Sequence, residues 1–229
     1  FYTIAEIGIN HNGDLGTAKK LIDKAALSKC NAVKFQTYIT EKRAPKDSPI
    51  FGILKKCQLS FDKFLILKNY AENLGVDFFS TPFDDESIDY LDEINCNIIK
   101  VASFDVKNHS FLRKVSQKNK TVILSTGMSN IEEVKDAHDI LTKDGNNKLA
   151  ILHCISAYPT NVSDANLLAI SQLKNQFDCV IGQSDHTKGI EVPLYAAAMG
   201  SQILEKHFMI NDDCVDACVS INPNQMLTL

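Results

Sequence analysis

The sequence predicts a (β/α)8 barrel. Eight β-prone apolar segments alternate with helical patterns, the connections between them are mostly short, and polar residues follow almost every strand. Strict alternation of this kind implies a parallel sheet, and eight repeats close into a barrel of about 250 residues. An open doubly wound sheet is the competing architecture. It is disfavoured because no Gly-x-Gly-x-x-Gly turn follows the first strand and the polar residues do not collect at one switch point.

The elements follow in order along the chain. The first strand is predicted over residues 1–9 and the first helix over 15–28, and the second strand over 32–38 is followed by a longer polar excursion. A helix over 61–74 ends at Gly75, a residue suited to the end of a helix. The later strands are predicted over 77–80, 98–102, 121–124, 149–153, 179–182 and 202–206, and the later helices over 84–94, 110–117, 131–141, 165–177 and 190–200.

The end of the sequence predicts a truncated last helix. Asn222 and Pro223 suit the N-cap and first position of a helix, but the sequence stops at Leu229, before a helix of ordinary length could form. The sequence also begins without Met. We therefore expect residues 1–229 to be one barrel domain of a longer protein.

Composition excludes several classes of function. The formal charge of -4 provides no basic surface, so nucleic acid is not an expected partner. No apolar run approaches the roughly 18 residues of a membrane-spanning helix, and no signal peptide is present, which predicts a soluble cytoplasmic protein with no membrane partner. The seven scattered cysteines fit reduced thiols better than disulfides. Cys214 and Cys218 lack the second cysteine pair that a zinc site would usually have.

Two apolar runs end in histidine and suggest a metal site. One run leads from Val180 to His186, and the other leads from Ile203 to His207. If they are neighbouring parallel strands about 4.8 Å apart, their histidines can share one ion at the carboxyl rim of the barrel. Counting back by twos places Ser184 beside His186 and Glu205 beside His207, whereas Lys206 faces away and is expected to be solvated or paired outside the barrel.

Other polar residues at the strand ends suggest a site for an anion. Lys34 and Gln36 share one face of the second strand, Glu6 lies near the end of the first, and Lys100 ends the fourth. Lysines, hydroxyls and loop N–H groups together suit a phosphate or carboxylate. Taken singly, the hydroxyl residues are equally typical of turns. They are Ser80, Thr81, Ser103, Ser125, Thr126 and Ser156, and Asp105 follows Ser103 closely.

Seven segments, in order and across practically the whole chain, resemble the sialic acid synthase family. The segments are residues 5–13, 34–37, 79–83, 100–104, 124–128, 184–187 and 205–208. Members of this family make nine-carbon nonulosonic acids from phosphoenolpyruvate and an N-acylated six-carbon sugar. The resemblance implies a divalent cation, Mn²⁺ or Mg²⁺, bound by His186 and His207. It implies phosphoenolpyruvate binding by Lys34, Thr81, Lys100, Ser103, Ser125 and Ser184.

The same resemblance implies that Glu6, Gln36 and Asp216 contact the sugar or order the metal site, with Asp105 or Glu6 as general base. Many sialic acid synthases have Ser-Gly-Glu where this chain has Ser-Phe-Asp at 103–105, and residues 214–220 also depart from the family pattern. Pseudaminic or legionaminic acid synthesis is therefore as compatible with the sequence as N-acetylneuraminate synthesis. Family members usually carry a C-terminal antifreeze-like domain that completes the site in a swapped homodimer. That domain is absent from residues 1–229, so we expect the isolated chain to have little synthase activity.

Two other classes of function are compatible with the residues. A Schiff-base aldolase could use Lys34 or Lys100 as its nucleophile at the end of a barrel strand. The chain could also belong to a carbohydrate-binding protein without turnover.

Overall fold

A computed structural model, which describes residues 1–143 and 145–229, confirms the barrel. Eight parallel strands form a closed barrel in chain order, with β8 pairing back to β1. The open doubly wound sheet is therefore excluded. The strands are β1 Tyr2–Gly8, β2 Ala32–Thr37, β3 Asp77–Pro82, β4 Ile98–Val101, β5 Thr121–Ser125, β6 Leu149–Cys154, β7 Val180–Asp185 and β8 Ile203–His207.

Helices connect the strands around the outside of the barrel. The polar excursion after β2 contains two short helices that the sequence did not indicate, and the helix predicted over 165–177 begins at Leu168. Asn166 explains the late start because its positive φ of 44° interrupts a helix. The helices are α1 Leu15–Leu27, α2 Thr40–Arg43, α3 Phe51–Cys57, α4 Phe61–Asn73, α5 Asp85–Glu93, α6 His109–Gln117, α7 Ile131–Thr142, α8 Leu168–Gln176, α9 Glu191–Ala198 and α10 Pro223–Thr228.

Side-chain caps fix where several helices begin. Asp14 accepts a hydrogen bond from the Thr17 N–H at the start of α1, at 2.6 Å. Asn222 and Gln225 form a reciprocal capping box at the start of α10, with Pro223 at its first position. The cap predicted at Asn222 is therefore confirmed.

The hydrophobic core lies between the strands and the helices. On β2, Val33 and Phe35 are fully buried in this layer, and they alternate with Lys34 and Gln36, which line the interior of the barrel. Gly182 lies where β7 has no room for a side chain. A Cβ atom there would lie 2.6 Å from both the Ile203 carbonyl oxygen and Leu152 Cδ2, so only glycine fits without displacing β8.

Two further expectations from the sequence concerned the state of the cysteines and membrane-spanning helices. All seven cysteines carry free thiols, and Cys30, Cys57, Cys96 and Cys154 are buried. Within the described ranges, none of the helices combines the length and the hydrophobicity that crossing a bilayer requires.

A buried ion pair joins the ends of β7 and β8. Lys206 Nζ lies 2.6 Å from Asp185 Oδ2, and both residues are almost completely buried. Asp185 also accepts hydrogen bonds from the Thr187 N–H and hydroxyl. Lys206 thus faces away from the barrel interior and is paired, but the helical layer keeps it from solvent. The two charges hold together the strand ends that carry His186 and His207.

Replacing Lys206 with Met is expected to reduce the free energy of unfolding by about 3 kcal/mol, because the Asp185 carboxylate would be left buried without its cation. Urea denaturation measures the loss. The double variant Lys206→Met with Asp185→Leu should recover part of it, since no isolated charge remains. A Lys206→Met protein as stable as the wild type would contradict this account of the pair.

Candidate active site

A cavity of about 290 Å³ opens at the carboxyl ends of the barrel strands. The barrel alternation brings together ten of the twelve residues predicted for the site. Asp105 and Asp216 are the two that do not line the cavity wall. The ten are Glu6, Lys34, Gln36, Thr81, Lys100, Ser103, Ser125, Ser184, His186 and His207.

Glu205 lies between two buried lysines in this cavity. Its Oε1 atom is 3.8 Å from Lys34 Nζ and 3.7 Å from Lys100 Nζ, and it accepts a hydrogen bond from the Ser184 hydroxyl at 2.9 Å. Lys34 also forms a 2.8 Å ion pair with Glu6. The cluster is 5% exposed or less, so its charges act on one another and on any ligand with little solvent screening.

The surroundings shift the pKa values of Glu205, Lys34 and Lys100 in different directions. Burial alone would raise the pKa of Glu205, but Lys100 and Lys34 outweigh it and hold the pKa well below its ordinary value. Burial opposes the charge of Lys34, yet Glu205 and Glu6 outweigh it and raise the pKa. Burial opposes the charge of Lys100 as well, and among the described residues Glu205 is the one carboxylate within 4 Å of its Nζ, so burial prevails and the pKa of Lys100 is lowered. Lys34 is therefore the more firmly charged of the two lysines.

Hydroxyl groups surround the lysines. Thr81 Oγ1 accepts from Lys34 Nζ at 3.0 Å, and Ser125 Oγ accepts from Lys100 Nζ at 2.7 Å. Ser103 Oγ accepts from the Gly127 N–H at 3.0 Å. An anion bound here would meet two cations and several hydroxyl donors, which is the chemistry that favours phosphate and carboxylate groups. These hydroxyls therefore do more than form turns.

The two histidines lie side by side at the ends of β7 and β8. Their ring centroids are 5.5 Å apart, and the Tyr158 ring stacks on His186 with a centroid distance of 4.0 Å. His186 Nδ1 is 2.7 Å from the Ile155 carbonyl oxygen. Because a carbonyl only accepts, the proton of His186 lies on Nδ1, and Nε2 is the nitrogen able to bind a metal.

Asp216 lies beside the second histidine. Its Oδ2 atom lies 3.3 Å from His207 Nδ1. Burial lowers the pKa of His207, but Asp216 outweighs that effect and raises it above the ordinary value. Asn10 holds the loop in place, because its Oδ1 accepts from the Asp216 N–H at 2.9 Å and its amide donates to the Phe208 carbonyl oxygen and Ser220. Asp216 thus acts on His207 from behind the cavity wall.

The donors present fit a divalent cation as part of its coordination shell. Among residues 1–143 and 145–229, no group of three or more His, Cys, Asp or Glu side chains is arranged to hold a metal ion. The Ile155 carbonyl oxygen orients His186 through Nδ1, and the Asp216 carboxylate lies 3.3 Å from His207 Nδ1. An oxygen atom beside Nδ1 of each ring is typical of metal-binding histidines in proteins. They would supply two ligands, so the remaining positions would fall to water and substrate oxygen atoms.

Comparison with known proteins identifies the family. The NeuB family model matches residues 21–229. The chain belongs to the NeuB family. It is 37% identical over 244 residues to the N,N'-diacetyllegionaminic acid synthase of Campylobacter jejuni, covering 99% of this chain and 73% of that protein. The corresponding synthase of Legionella pneumophila is 36% identical over 248 residues, with 100% and 70% coverage.

A solved structure agrees with this assignment to the NeuB family. The crystal structure of N-acetylneuraminic acid synthetase from Leptospira borgpetersenii serovar Hardjo-bovis, in complex with citrate, superposes with a TM-score of 0.97 at 39% identity. The match covers 99% of this chain and 80% of the other. The barrel is therefore the one that this solved member of the family has.

Asp105, the second residue predicted as a general base, does not line the cavity of this NeuB-family chain. It ends a 3-10 turn over Ser103–Asp105, is 6% exposed, and lies outside the residues that line the cavity. Asn108 donates to its Oδ1 at 3.2 Å, whereas Oδ2 has no hydrogen-bond partner among the described residues. Burial raises the pKa of Asp105 to about 6. Glu6, in contrast, lines the cavity directly.

Replacing Asp105 with Asn is expected to stabilise the protein at pH 7.5. A folded-state pKa above the ordinary value means that the wild type is most stable with the carboxyl protonated and loses stability as the pH rises through about 4 to 6. The Asn side chain stays neutral and avoids this loss, so the free energy of unfolding should increase by about 1 to 3 kcal/mol at pH 7.5 and by less at pH 5. Urea denaturation at both pH values measures it. Asp47→Asn, at an exposed aspartate, is the control, and equal gains for both variants would contradict the burial argument.

The sequence did not single out several residues that line the cavity. Glu205 was placed on the correct face beside the paired histidines but given no role of its own, and Arg43, Phe83, Cys154 and Tyr158 were not predicted as site residues. Arg43 ends the short helix α2 within the polar excursion, so no strand periodicity pointed to it. For Glu205 the signal was available, since a carboxylate inside a barrel requires nearby cations.

Proposed function

We propose that this chain condenses phosphoenolpyruvate with an N-acyl mannosamine-type sugar, producing a nonulosonic acid and inorganic phosphate. The observation that carries the proposal is the meeting of Lys34, Lys100 and their hydroxyl partners with the paired imidazoles of His186 and His207 in one cavity. Membership of the NeuB family and likeness to legionaminic acid synthases support it.

The lower part of the cavity is the proposed site of phosphoenolpyruvate. Lys34 and Lys100 neutralise its phosphate and carboxylate, and hydroxyls donate to the same oxygens. Glu205 is bound to both lysines at 3.7–3.8 Å and keeps them oriented before the ligand arrives. The hydroxyls are those of Thr81, Ser103, Ser125 and Ser184.

The reaction joins C3 of phosphoenolpyruvate to the aldehyde carbon of the sugar. The carbonyl oxygen takes up a proton and becomes a hydroxyl group, water adds at C2, and the resulting tetrahedral carbon releases phosphate by C–O cleavage to leave a ketone. Glu6 is the proposed general base that takes the proton of the water, because it lines the cavity and Asp105 does not. Its 2.8 Å ion pair with Lys34 holds the carboxylate at the cavity wall. Of the two protons of water, one balances the proton taken up by the sugar oxygen and the other leaves with the phosphate.

The proposed cofactor is Mn²⁺ or Mg²⁺, bound by His186 and His207. When bound, such an ion supplies Lewis-acid polarisation of the sugar carbonyl oxygen. The Ile155 carbonyl oxygen fixes the proton of His186 on Nδ1, and the Asp216 carboxylate favours a proton on the Nδ1 of His207 that it faces, which leaves Nε2 of each ring for the metal. Gln36 and Asp216 remain proposed contacts of the sugar side, and a cytoplasmic homodimer remains the proposed setting of the full-length protein.

The identity of the sugar is also a proposal. The two legionaminic acid synthases reported above favour a sugar that carries two acetamido groups, and N-acetylmannosamine is the alternative that the sialic acid synthetase suggests. Phosphate release from phosphoenolpyruvate by the full-length protein should be measured against both types of sugar, with and without Mn²⁺. Release that requires both a sugar and a metal supports the proposal. Sugar binding without turnover would favour a carbohydrate-binding protein.

Two experiments on the same preparation distinguish a synthase mechanism from that of a Schiff-base aldolase. The aldolase would stay active after chelation of metals, and borohydride with substrate would trap an adduct on Lys34 or Lys100. The synthase should lose activity on chelation and form no adduct, which mass spectrometry of the intact protein would establish.

Replacing Glu6 with Gln is expected to lower kcat for phosphate release about 100-fold, because the isosteric amide cannot accept the proton of water. Steady-state kinetics with saturating phosphoenolpyruvate and sugar measures kcat. The exposed Glu132→Gln on α7 is the matched control. A wild-type kcat in Glu6→Gln would mean that another residue is the general base.

A further inference from the structure

Arg43 presents an unusual cation at the mouth of the cavity. Its guanidinium carbon Cζ lies over the Phe83 ring, 3.6 Å from the ring centroid, and over the Tyr38 ring, 4.6 Å from that centroid. One edge donates from Nη1 to Gln36 Oε1 at 3.0 Å, so its hydrogen-bond partner is an amide and not a carboxylate. A guanidinium stacked in this way is fixed in plane and keeps further N–H donors for a ligand.

Phe104 completes an apolar surface beside this guanidinium. Its ring stacks on Phe83 with a centroid distance of 5.5 Å and an interplanar angle of 17°. Phe104 remains 54% exposed although it lines the cavity. The three residues follow three neighbouring strands, β2, β3 and β4, so they form one continuous edge of the mouth. An exposed aromatic ring at such a position is available to bury an apolar group of a ligand.

We propose that Arg43, Phe83 and Phe104 form a subsite for an N-acyl group of the sugar, in which the guanidinium donates to the acyl carbonyl oxygen and Phe104 covers the acyl methyl group. This inference rests on the proposed function and specifies which part of the sugar these residues recognise. An N-acetyl group carries a carbonyl acceptor next to a methyl group, and the protein offers the Arg43 donor next to the exposed Phe104 ring, so the two surfaces are complementary.

A charged substituent fits this surface less well. Lys34 and Lys100 form a stronger site for anions, with hydroxyl donors around them, whereas Arg43 is a single cation between aromatic rings. A phosphate or carboxylate at the mouth would be only partly neutralised and would lie against Phe104. The subsite is therefore assigned to a neutral acyl group.

Removal of the acyl methyl group from the substrate tests the role of Phe104. With the full-length protein, Mn²⁺ and phosphoenolpyruvate, the wild type should prefer the N-acetyl sugar over its N-formyl analogue by about 10-fold in kcat/KM, the usual effect of one methyl group in an apolar pocket. Phe104→Ala should bring that ratio close to one, and Phe104→Leu should retain much of it. Tyr195→Ala, which removes an exposed aromatic ring on α9, is the control.

Replacement of the guanidinium tests the role of Arg43. Arg43→Met should lower kcat/KM for the N-acetyl sugar about 10- to 100-fold, the usual effect of a hydrogen bond from a charged donor, while KM for phosphoenolpyruvate stays at the wild-type value. Arg113→Met on the exposed face of α6 is the matched control.

Two results would overturn the subsite while leaving the proposed function intact. They are an N-acetyl preference unchanged in Phe104→Ala, and a rise in KM for phosphoenolpyruvate in Arg43→Met with sugar kinetics unchanged. Failure of the wild-type protein to release phosphate with any N-acyl sugar would instead overturn the proposed function and the subsite with it.

Discussion

Replacing His186 with Ala is expected to reduce metal-dependent phosphate release on the order of 10³-fold. The imidazole is one of two nitrogen ligands proposed for the cation, and its loss removes both metal affinity and the polarisation of the carbonyl oxygen, an effect of several kcal/mol. Asp185, the residue before it in the sequence, cannot replace it readily, because its carboxylate is held 2.6 Å from Lys206 on the far side of β7. Phosphate release across a Mn²⁺ titration measures the loss.

The control for His186→Ala is His109→Ala, which removes an exposed imidazole at the start of α6. Calorimetric Mn²⁺ binding provides a readout that is independent of turnover, and it should weaken in His186→Ala and in His207→Ala alone. Wild-type Mn²⁺ binding and turnover in His186→Ala would contradict the metal assignment.

Replacing Lys100 with Met is expected to lower kcat/KM for phosphoenolpyruvate about 100- to 1000-fold. Two effects contribute. The ligand loses a charge-assisted hydrogen bond, and Glu205 loses one of the two cations that hold its carboxylate in the charged form. The pKa of Glu205 should then rise, so the variant should bind phosphoenolpyruvate still more weakly as the pH increases and the Glu205 carboxylate ionises beside the anion.

Phosphoenolpyruvate affinity can be measured without the sugar, by isothermal titration at pH 6 and pH 8. Lys107→Met, at an exposed lysine that contacts Glu133 at 3.5 Å, is the matched control. Affinity equal to that of the wild type at both pH values would place the phosphoenolpyruvate site away from Lys100.

Barrel geometry explains how much of the site the sequence could reveal. Side chains alternate strictly along a strand, so counting by twos from His186 and His207 placed Ser184 and Glu205 inside the cavity, and the structure confirms both. The same rule placed Lys34 with Gln36 and turned Lys206 outward. Within a strand, sequence parity fixes the face that a side chain takes, and the register between strands then decides which side chains meet.

Loops follow no such rule, and there the sequence was less informative. Asp105 lies in a 3-10 turn and does not line the cavity, whereas Arg43 reaches the mouth from a helix of four residues. Polar residues also make a strand predicted from the sequence too short. β7 was predicted to end at Gly182 but continues to Asp185, because pairing with β8 outweighs the low strand preference of Ser184 and Asp185. Tertiary contacts decide each of these features.

The buried pair of Asp185 and Lys206 restricts how this barrel can change over evolutionary time. Loss of either charge alone leaves the other buried and unpaired inside the helical layer. A protein with only one of the two substitutions is therefore destabilised and is a poor evolutionary intermediate. Positions 185 and 206 should therefore vary together among related sequences, with two opposite charges or two apolar residues and rarely a mixture. Because each position adjoins a proposed metal ligand, such paired exchanges would also mark lineages in which the metal site itself has been remodelled.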